Sequence, residues 1–458
     1  MLKTYSPIDN SVYVERNFAT QAEIQQALVS AQKALPLWRA TSLLDREKLC
    51  TDAINTLVAN KDVIAQEICW QMGRPIRYAA GEINGLEERA RYMIANADVA
   101  LTPLQLPEKP GFTRYIKREP LGIVFVIAPW NYPYLTAVNT IIPALMAGNI
   151  VLLKHSAQTP LVAERFAEAF ANLPKGVFQY LHLEHADTEQ LIQTAPINHI
   201  AFTGSVAGGE MVERAAAGRF LSVGLELGGK DPAYVRADAN LEQAVETSID
   251  GAFFNSGQSC CGIERIYVHQ DIFHAFVSKA VNLVNTYKLG RSDNQETTLG
   301  PLVRASAADF VRNQIKDAIQ QGAVAHINTD HFALDQPGTA YMAPQILTNV
   351  NHQMRIMTEE TFGPVVGIMS VKNDAEAVSL MNDSEYGLTA TIFTQDLSTG
   401  IRLGEQLETG TFFINRCDYL DPGLAWTGIK KSGRGCTLST MGYESLTRPK
   451  SFHIKIGH

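Results

Sequence analysis

Cys260 stands in Phe253-Phe254-Asn255-Ser256-Gly257-Gln258-Ser259-Cys260-Cys261-Gly262, a run of small residues that leaves its sulfur room to meet a substrate carbonyl. A free cysteine is usually buried packing. The flanking Gly, Ser and Gln instead describe an accessible loop, and a thiolate there is a nucleophile once its pKa is lowered or a base lies near. Glu226, in Glu226-Leu227-Gly228-Gly229-Lys230, ends an apolar run. A carboxylate is costly to bury at such a place, so it is either exposed at a sheet edge or set there to accept a proton. Asn131, in Pro129-Trp130-Asn131-Tyr132-Pro133, follows another apolar run and could donate its amide to a developing oxyanion. In Phe202-Thr203-Gly204-Ser205-Val206-Ala207-Gly208-Gly209, a strand pattern turns through small residues into a helix pattern whose first amides can face a pyrophosphate. Taken alone that signal is weak, and the chain contains no GxGxxG.

The elements that must position these groups follow from the apolar patterning. Helical spacing runs over Glu23 to Trp38, Leu43 to Asn60 and Lys61 to Met72, with Asp45 and Asp62 near two of the starts. Short β-branched runs then appear at Gly122 to Ala128, Asn149 to Lys154, Val177 to His182, His199 to Thr203 and Leu221 to Leu227, alternating with helix patterns at Tyr134 to Met146, Leu161 to Ala171, Asp187 to Gln193 and Val206 to Ala217. This alternation predicts βαβ units and a parallel sheet, apolar on both faces. After Gly228-Gly229 a second alternation begins: a strand at Ala233 to Val235, a helix at Leu241 to Phe254, a strand at Arg265 to His269 and a helix at Ile272 to Lys288. Phe112 to Arg118 and Leu446 to Ile456 alternate polar and apolar residues and fit neither sheet. They are read as edge strands or as a small β element that pairs with another subunit.

Length and composition bound the rest. At roughly 150 residues per domain, 458 residues allow about three domains. A net charge of −8 and the lack of a long basic run argue against nucleic acid or an anionic membrane as partner. No leader or spanning segment is read, and six cysteines without CxxC spacing suggest neither a disulfide framework nor a zinc site, so a cytoplasmic protein without a metal is expected. His155, His182 and His185 lack ligand spacing and are read as solvent-exposed.

Six motifs, in order and spacing, resemble the aldehyde dehydrogenase superfamily: APWNYP at Ala128 to Pro133, FTGS at Phe202 to Ser205, ELGGK at Glu226 to Lys230, FFNSGQSC at Phe253 to Cys260, EETFGPV at Glu359 to Val365 and NDSEYGL at Asn382 to Leu388. Glu226 and Cys260 lie 34 residues apart, as in the hydrolytic members. The resemblance implies a Rossmann-like cofactor domain (1–103 and 121–228), a second α/β catalytic domain (229–435) and a small β oligomerisation element (104–120 and 436–458), assembled as a homodimer or homotetramer. It implies NAD(P)-dependent oxidation of an aldehyde. Cys260 would form a thiohemiacetal whose oxyanion is held by Asn131 and the Cys260 amide, and Glu226 would activate water against the resulting thioester. Cys261 is a second nucleophile candidate by proximity, which the motif disfavours.

By the same resemblance, Ile127, Ala128, Pro129, Trp130, Lys154, Ser156, Ala157, Phe202, Gly204, Ser205, Leu227, Gly228, Glu360 and Phe362 contact the cofactor. Tyr132, Asn139, Ser259, Cys261, Arg416, Asp418 and Leu420 line the substrate channel, with Arg416 pairing either with a semialdehyde carboxylate or with Asp418. Three segments depart from the pattern. Ala157 stands where NAD-preferring relatives commonly carry Glu, which favours NADP tolerance because no carboxylate repels a 2′-phosphate and Lys154 attracts it. Leu181 to Asp187 lacks the glycines often found beside the adenine, and Ala425 to Lys430 replaces the commoner segment near the channel. A CoA-acylating enzyme of the same fold, a catalytically silent scaffold protein and a cofactor-free cysteine esterase are the rival readings. Glu226 argues against the first, the intact constellation against the second, and Glu360 with Phe362 against the third.

Overall fold

The computed structural model describes residues 1–456. Its first large sheet is ordered Gly433–Arg434, Ser222–Glu226, His199–Thr203, Ile123–Ala128, Ile150–His155, Phe178–Tyr180. The last five strands are parallel, and every residue of Ile123–Ala128 and Ile150–His155 is buried, as a sheet covered on both faces requires. The sequence patterning anticipates these five strands but not the sixth. Gly433–Arg434 adds antiparallel to the edge from the segment expected to complete the catalytic domain, and two residues carry no readable period. From Ile123–Ala128 the chain lays its next strands to one side and then returns to place His199–Thr203 on the other. The strand order therefore reverses between Ala128 and Thr203, and the crevice beyond those carboxyl ends is where open α/β sheets take ligands.

The second sheet is ordered Val324–Ala325, Gln345–Thr348, Val365–Val371, Ile263–His269, Asp231–Val235, Thr389–Phe393, Thr411–Ile414, parallel except at its first edge. The two segments that fit neither sheet pair with each other over nine residues, from Thr447 opposite Pro120 to Lys455 opposite Phe112. Tyr115 stacks on Phe452 at 4.6 Å across that pair, and Leu104–Gln105 adds a third strand.

Helix Gln21–Ala40 packs on Ile123–Ala128 and Ile150–His155, Leu43–Ala59 and Gly81–Ala95 pack on the Pro133–Met146 helix, and Lys61–Met72 joins the same core. Thr20 and Glu23 form a capping box at the first start, and Ser42 caps the second by accepting from the Asp45 amide. The Pro133–Met146 helix is buried along most of its length, which fits its nearly continuous apolar sequence. Among the described residues no helix is long and apolar enough to cross a membrane.

Candidate active site

A cavity of about 390 Å³ opens between the carboxyl ends of the first sheet's strands and the segments that lead into the second sheet's strands, lined among others by Trp130, Asn131, Gly204, Ser205, Glu226, Gly228, Cys260, Glu360 and Phe362. Nucleophile candidate, base candidate and oxyanion donor thus share one space.

The loop carrying Cys260 is held in an uncommon shape. Asn255, Ser256 and Gly257 are all left-handed, with φ of 54°, 57° and 72°. Such a run persists only where its surroundings over-determine it. Ser256 Oγ donates to the Gly300 carbonyl at 2.8 Å, and Gln258 Oε1 accepts from the Val303 amide at 2.8 Å. Asn255 Nδ2 and Gln258 Nε2 each donate to the other's carbonyl oxygen, at 3.2 and 3.1 Å. Cys260 lies partly exposed on the cleft floor, whereas Cys261 is buried with its sulfur 3.6 Å from Ser259 Oγ. The hydrogen bond with Cys261, and burial after it, push the Cys260 thiol well above its ordinary pKa. The resting group is a thiol, so a nearby base must take its proton before it attacks.

Asn131 is placed by a buried ion pair that no motif announced. Arg74 and Glu82 meet with almost no exposure to water. Glu82 Oε1 accepts from the Tyr134 and Leu135 amides at 2.9 and 3.0 Å, satisfying the open first turn of the Pro133–Met146 helix. Arg74 donates to the Asn131 carbonyl at 2.6 Å and to Asn255 Oδ1 at 3.1 Å, joining the oxyanion donor to the nucleophile loop. Asn131 Nδ2 gives one proton to the Gln258 carbonyl at 3.2 Å, and a carboxamide nitrogen carries two. The second is free for an oxygen in the cleft.

Glu226 faces the cleft without being solvated at an open sheet edge. Burial raises its pKa, while hydroxyls of Thr437 and Thr203 donate to it at 2.5 and 3.2 Å and partly oppose the rise. A carboxylate so placed is the candidate base for the Cys260 proton or for water. Across the cleft, Glu360 accepts from the Gly229 amide at 3.1 Å, and burial pushes it up to about 8. A β-carbon on Gly228 would fall 2.3 Å from Glu360 Oε1, so this approach needs glycine. The Glu360-to-Phe362 turn is anchored from behind: Glu264 accepts from the Thr361 amide at 2.8 Å, the Phe362 amide at 2.9 Å and Lys230 Nζ at 2.6 Å. Phe362 meets Trp130 edge-on, centroids 5.7 Å apart.

The cofactor candidates divide into two groups. Pro129, Trp130, Gly204, Ser205, Leu227, Gly228, Glu360 and Phe362 line the cleft. Ile127, Ala128 and Phe202 lie in the strands beneath it, with Phe202 so close under Gly204 that a β-carbon there would sit 2.7 Å from its ring. Ser205 caps the Val206–Ala216 helix, accepting from the Gly208 amide. Lys154 lies near the end of the neighbouring strand Ile150–His155 and Ser156 and Ala157 follow it, all three outside the lining of this cavity. Lys154 is 9% exposed, has no carboxylate partner among the described residues, and burial lowers its pKa. A cation kept from water without a partner, beside an exposed Ala157 that brings no repelling carboxylate, fits the hydroxyls and phosphate of a dinucleotide ribose.

None of the seven channel candidates lines this cavity. Asn139 is fully buried on the Pro133–Met146 helix, where Oδ1 accepts from Arg89 at 3.3 Å, so it supports the cleft wall and does not line the cavity. Tyr132 lies under the Arg74 guanidinium at 4.5 Å. Ser259 and Cys261 are buried beside the nucleophile, and Leu420 packs at the edge of the first core. Arg416 forms no ion pair with Asp418; its guanidinium lies 3.8 Å over the Tyr419 ring, while burial raises Asp418 to about 6. The reading of His155 as exposed is corrected: it is buried, bonds the Pro133 carbonyl at 3.0 Å and Thr159 at 3.1 Å, and burial lowers it to about 4. It sits at the end of a strand over which the Pro133–Met146 helix begins, a contact that sequence spacing does not reveal. His182 is largely covered as well and meets Glu164 at 3.2 Å. Arg74, Glu82, Lys230, Glu264 and Thr437 were unassigned from sequence. Only Lys230 and Glu264 carried a signal, standing inside or beside quoted motifs.

The aldehyde dehydrogenase family model matches residues 1–452. The succinate-semialdehyde dehydrogenase [NADP(+)] 1 of Mycobacterium tuberculosis strain H37Rv is 32% identical over 457 residues, covering 99% of both chains. A succinic semialdehyde dehydrogenase from Streptococcus pyogenes, solved with NADP+ as the cofactor, superposes with a TM-score of 0.94 at 29% identity, covering 99% of this chain and 100% of that one. An aldehyde dehydrogenase from Brucella melitensis biovar abortus 2308 gives 0.95 at 27% identity, covering 100% and 94%.

Proposed function

The chain belongs to the aldehyde dehydrogenase family, and from that premise we propose that it oxidises an acidic semialdehyde to the dicarboxylic acid with NADP or NAD, hydrolysing a thioester on Cys260. The bound nicotinamide supplies the hydride acceptor. The chain's own groups do the rest. Cys260 gives its proton to Glu226 and its sulfur bonds to the aldehyde carbon; the carbonyl oxygen becomes an oxyanion received by the free Asn131 Nδ2 proton and by the Cys260 amide, which has no acceptor among the described residues. Collapse of that oxyanion expels hydride from carbon and leaves a thioester. Glu226 releases the cysteine proton to solvent and then takes a proton from water as the water oxygen bonds to the acyl carbon; the carbon–sulfur bond breaks, the departing Cys260 sulfur recovers that proton from Glu226, and the acid leaves.

The observation that carries this reading is the shared cleft of Cys260, Glu226 and Asn131, with Glu360 and Phe362 on the facing wall. The semialdehyde rests on relatives named for succinate semialdehyde and on Arg416, an exposed guanidinium with no carboxylate partner among the described residues. NADP use rests on unpartnered Lys154 beside Ala157 and on the relatives named for NADP. A division into cofactor domain, catalytic domain and β oligomerisation element belongs to the same proposal. The outer edge of the three-stranded sheet at Thr447–Lys455 offers backbone groups to a second copy in a homodimer or homotetramer. A reducing, cytoplasmic setting fits six free thiols.

The test is rapid-mixing kinetics with succinate semialdehyde and NADP. Cys260→Ala forms no NADPH, whereas Glu226→Gln, which lacks the base for both proton transfers, forms its first equivalent of NADPH slowly and turns over more slowly still. Steady turnover by Cys260→Ala would remove the sulfur from the mechanism.

A further inference from the structure

Arg304 is the one lysine or arginine among the described residues lining the cleft, where it shares the wall with Ser306 and Ala307. It is exposed and forms no ion pair among the described residues. Its position in the chain is electrostatically awkward. Arg304 is the N-cap of the sixteen-residue Ala305–Gln320 helix, caps no amide with its side chain, and has no acidic residue in the following first turn. The N-terminal end of a helix already carries partial positive charge, and a guanidinium placed there without an anion is unfavourable. On the opposite wall Gly204 and Ser205 open the Val206–Ala216 helix toward the same space. Two helix starts and an unpaired guanidinium therefore converge on one cavity, and a diphosphate is an anion that would relieve both.

We propose that Arg304 is a cofactor-binding residue that closes on the pyrophosphate of the dinucleotide from the wall facing Ser205. The guanidinium suits this task because its fork can donate two parallel hydrogen bonds to phosphate oxygens. The proposal rests on the nicotinamide-dependent reading above. It assigns the contact to the diphosphate common to NAD and NADP, leaving the 2′-phosphate to the Lys154 side.

Equilibrium titration of NADPH and NADH fluorescence with the purified full chain tests it without turnover. The side chain is exposed, so Arg304→Ala and Arg304→Glu should fold as the parent does. Arg304→Ala should raise the dissociation constant for both reduced cofactors about tenfold, Arg304→Glu should raise it further, and Arg304→Lys should fall between parent and Ala. The parent's affinity should weaken with salt more steeply than that of Arg304→Ala. Unchanged dissociation constants in Arg304→Ala would overturn the proposal. So would weakening confined to NADPH, which would place Arg304 on the 2′-phosphate, or a raised KM for the acidic aldehyde with cofactor affinity intact. A parent chain that binds NADPH through Arg304 but oxidises no aldehyde would refute the functional reading and leave this contact standing.

Discussion

Gly257 approaches Gly363 so closely that a β-carbon on Gly257 would lie 2.2 Å from the Gly363 carbonyl oxygen. This contact sets the turn that ends in Cys260 against the turn that carries Glu360 and Phe362, so nucleophile and cofactor wall are positioned by one another. Gly257→Ala meets both a φ of +72° and backbone with no room to yield. The variant is expected to lose more than tenfold in kcat and about 1–3 kcal/mol of stability, read from steady-state kinetics and urea unfolding. Parent-like kcat would show that the two turns move independently.

Arg74 and Glu82 anchor the other side of the site, and removing one charge leaves the other buried. Glu82→Gln should cost about 3–5 kcal/mol, because the remaining guanidinium keeps its desolvation penalty without its partner. The exposed Arg91–Glu87 pair is a control, since Glu87→Gln should change stability by less than about 1 kcal/mol. Urea midpoints for the two variants decide this. Equal small shifts would mean that Arg74 finds another counter-charge.

Thr437 reaches Glu226 from near the chain end, and its hydroxyl stabilises the charged form of a carboxylate whose pKa burial has raised. Thr437→Val removes that hydrogen bond, so the Glu226 pKa rises further and less of the base is ionised at a given pH. Where hydrolysis of the thioester limits turnover, the ascending limb of the kcat–pH profile should move to higher pH, with the largest loss on the acid side and recovery as pH increases. A limb that stayed in place would detach Glu226 from the rate-limiting proton transfer.

Cys260, Glu226 and Asn131 were legible because each stands at a boundary the patterning marks: a small-residue loop, or the residue ending an apolar run. The five parallel strands were legible for the same reason, being short and apolar on both faces. What escaped depends on contacts between distant segments. Nothing in the Gly73-Arg74-Pro75 break announces that its guanidinium will meet Glu82 on the next long helix and the Asn131 carbonyl beyond it. Thr437 lies 211 positions from the carboxylate it bonds. Gly433–Arg434 is too short for alternation to show, yet it extends the first sheet. His155 looked exposed because histidine in a polar segment usually is. Only the packing of the Pro133–Met146 helix start over the strand end closes it off.

Ala157 carries the cofactor preference if Lys154 receives the 2′-phosphate. Ala157→Glu would place a carboxylate beside that phosphate and beside the unpartnered ammonium, adding repulsion for NADP and a hydrogen-bond acceptor for the ribose hydroxyls of NAD. The ratio of kcat/KM for NADP over NAD should fall at least tenfold, chiefly through the KM for NADP. An unchanged ratio would mean that the adenosine ribose lies away from the Lys154 strand end.

The proposed semialdehyde substrate rests in part on Arg416. Its guanidinium rests over Tyr419 without forming an ion pair with Asp418, whose raised pKa of about 6 leaves part of that carboxyl protonated near neutral pH. A guanidinium already oriented by an aromatic face and lacking a carboxylate partner can receive the distal carboxylate of a semialdehyde with little further ordering. Arg416→Ala should raise the KM for succinate semialdehyde about tenfold or more and leave the KM for butanal, a neutral aldehyde of the same carbon count, within about twofold. Acidic pH should also weaken semialdehyde binding in the parent as the substrate carboxylate protonates, and should do so less in the variant. Equal effects on both aldehydes would return Arg416 to holding the Tyr419 turn in place, and the substrate carboxylate would then need another cation.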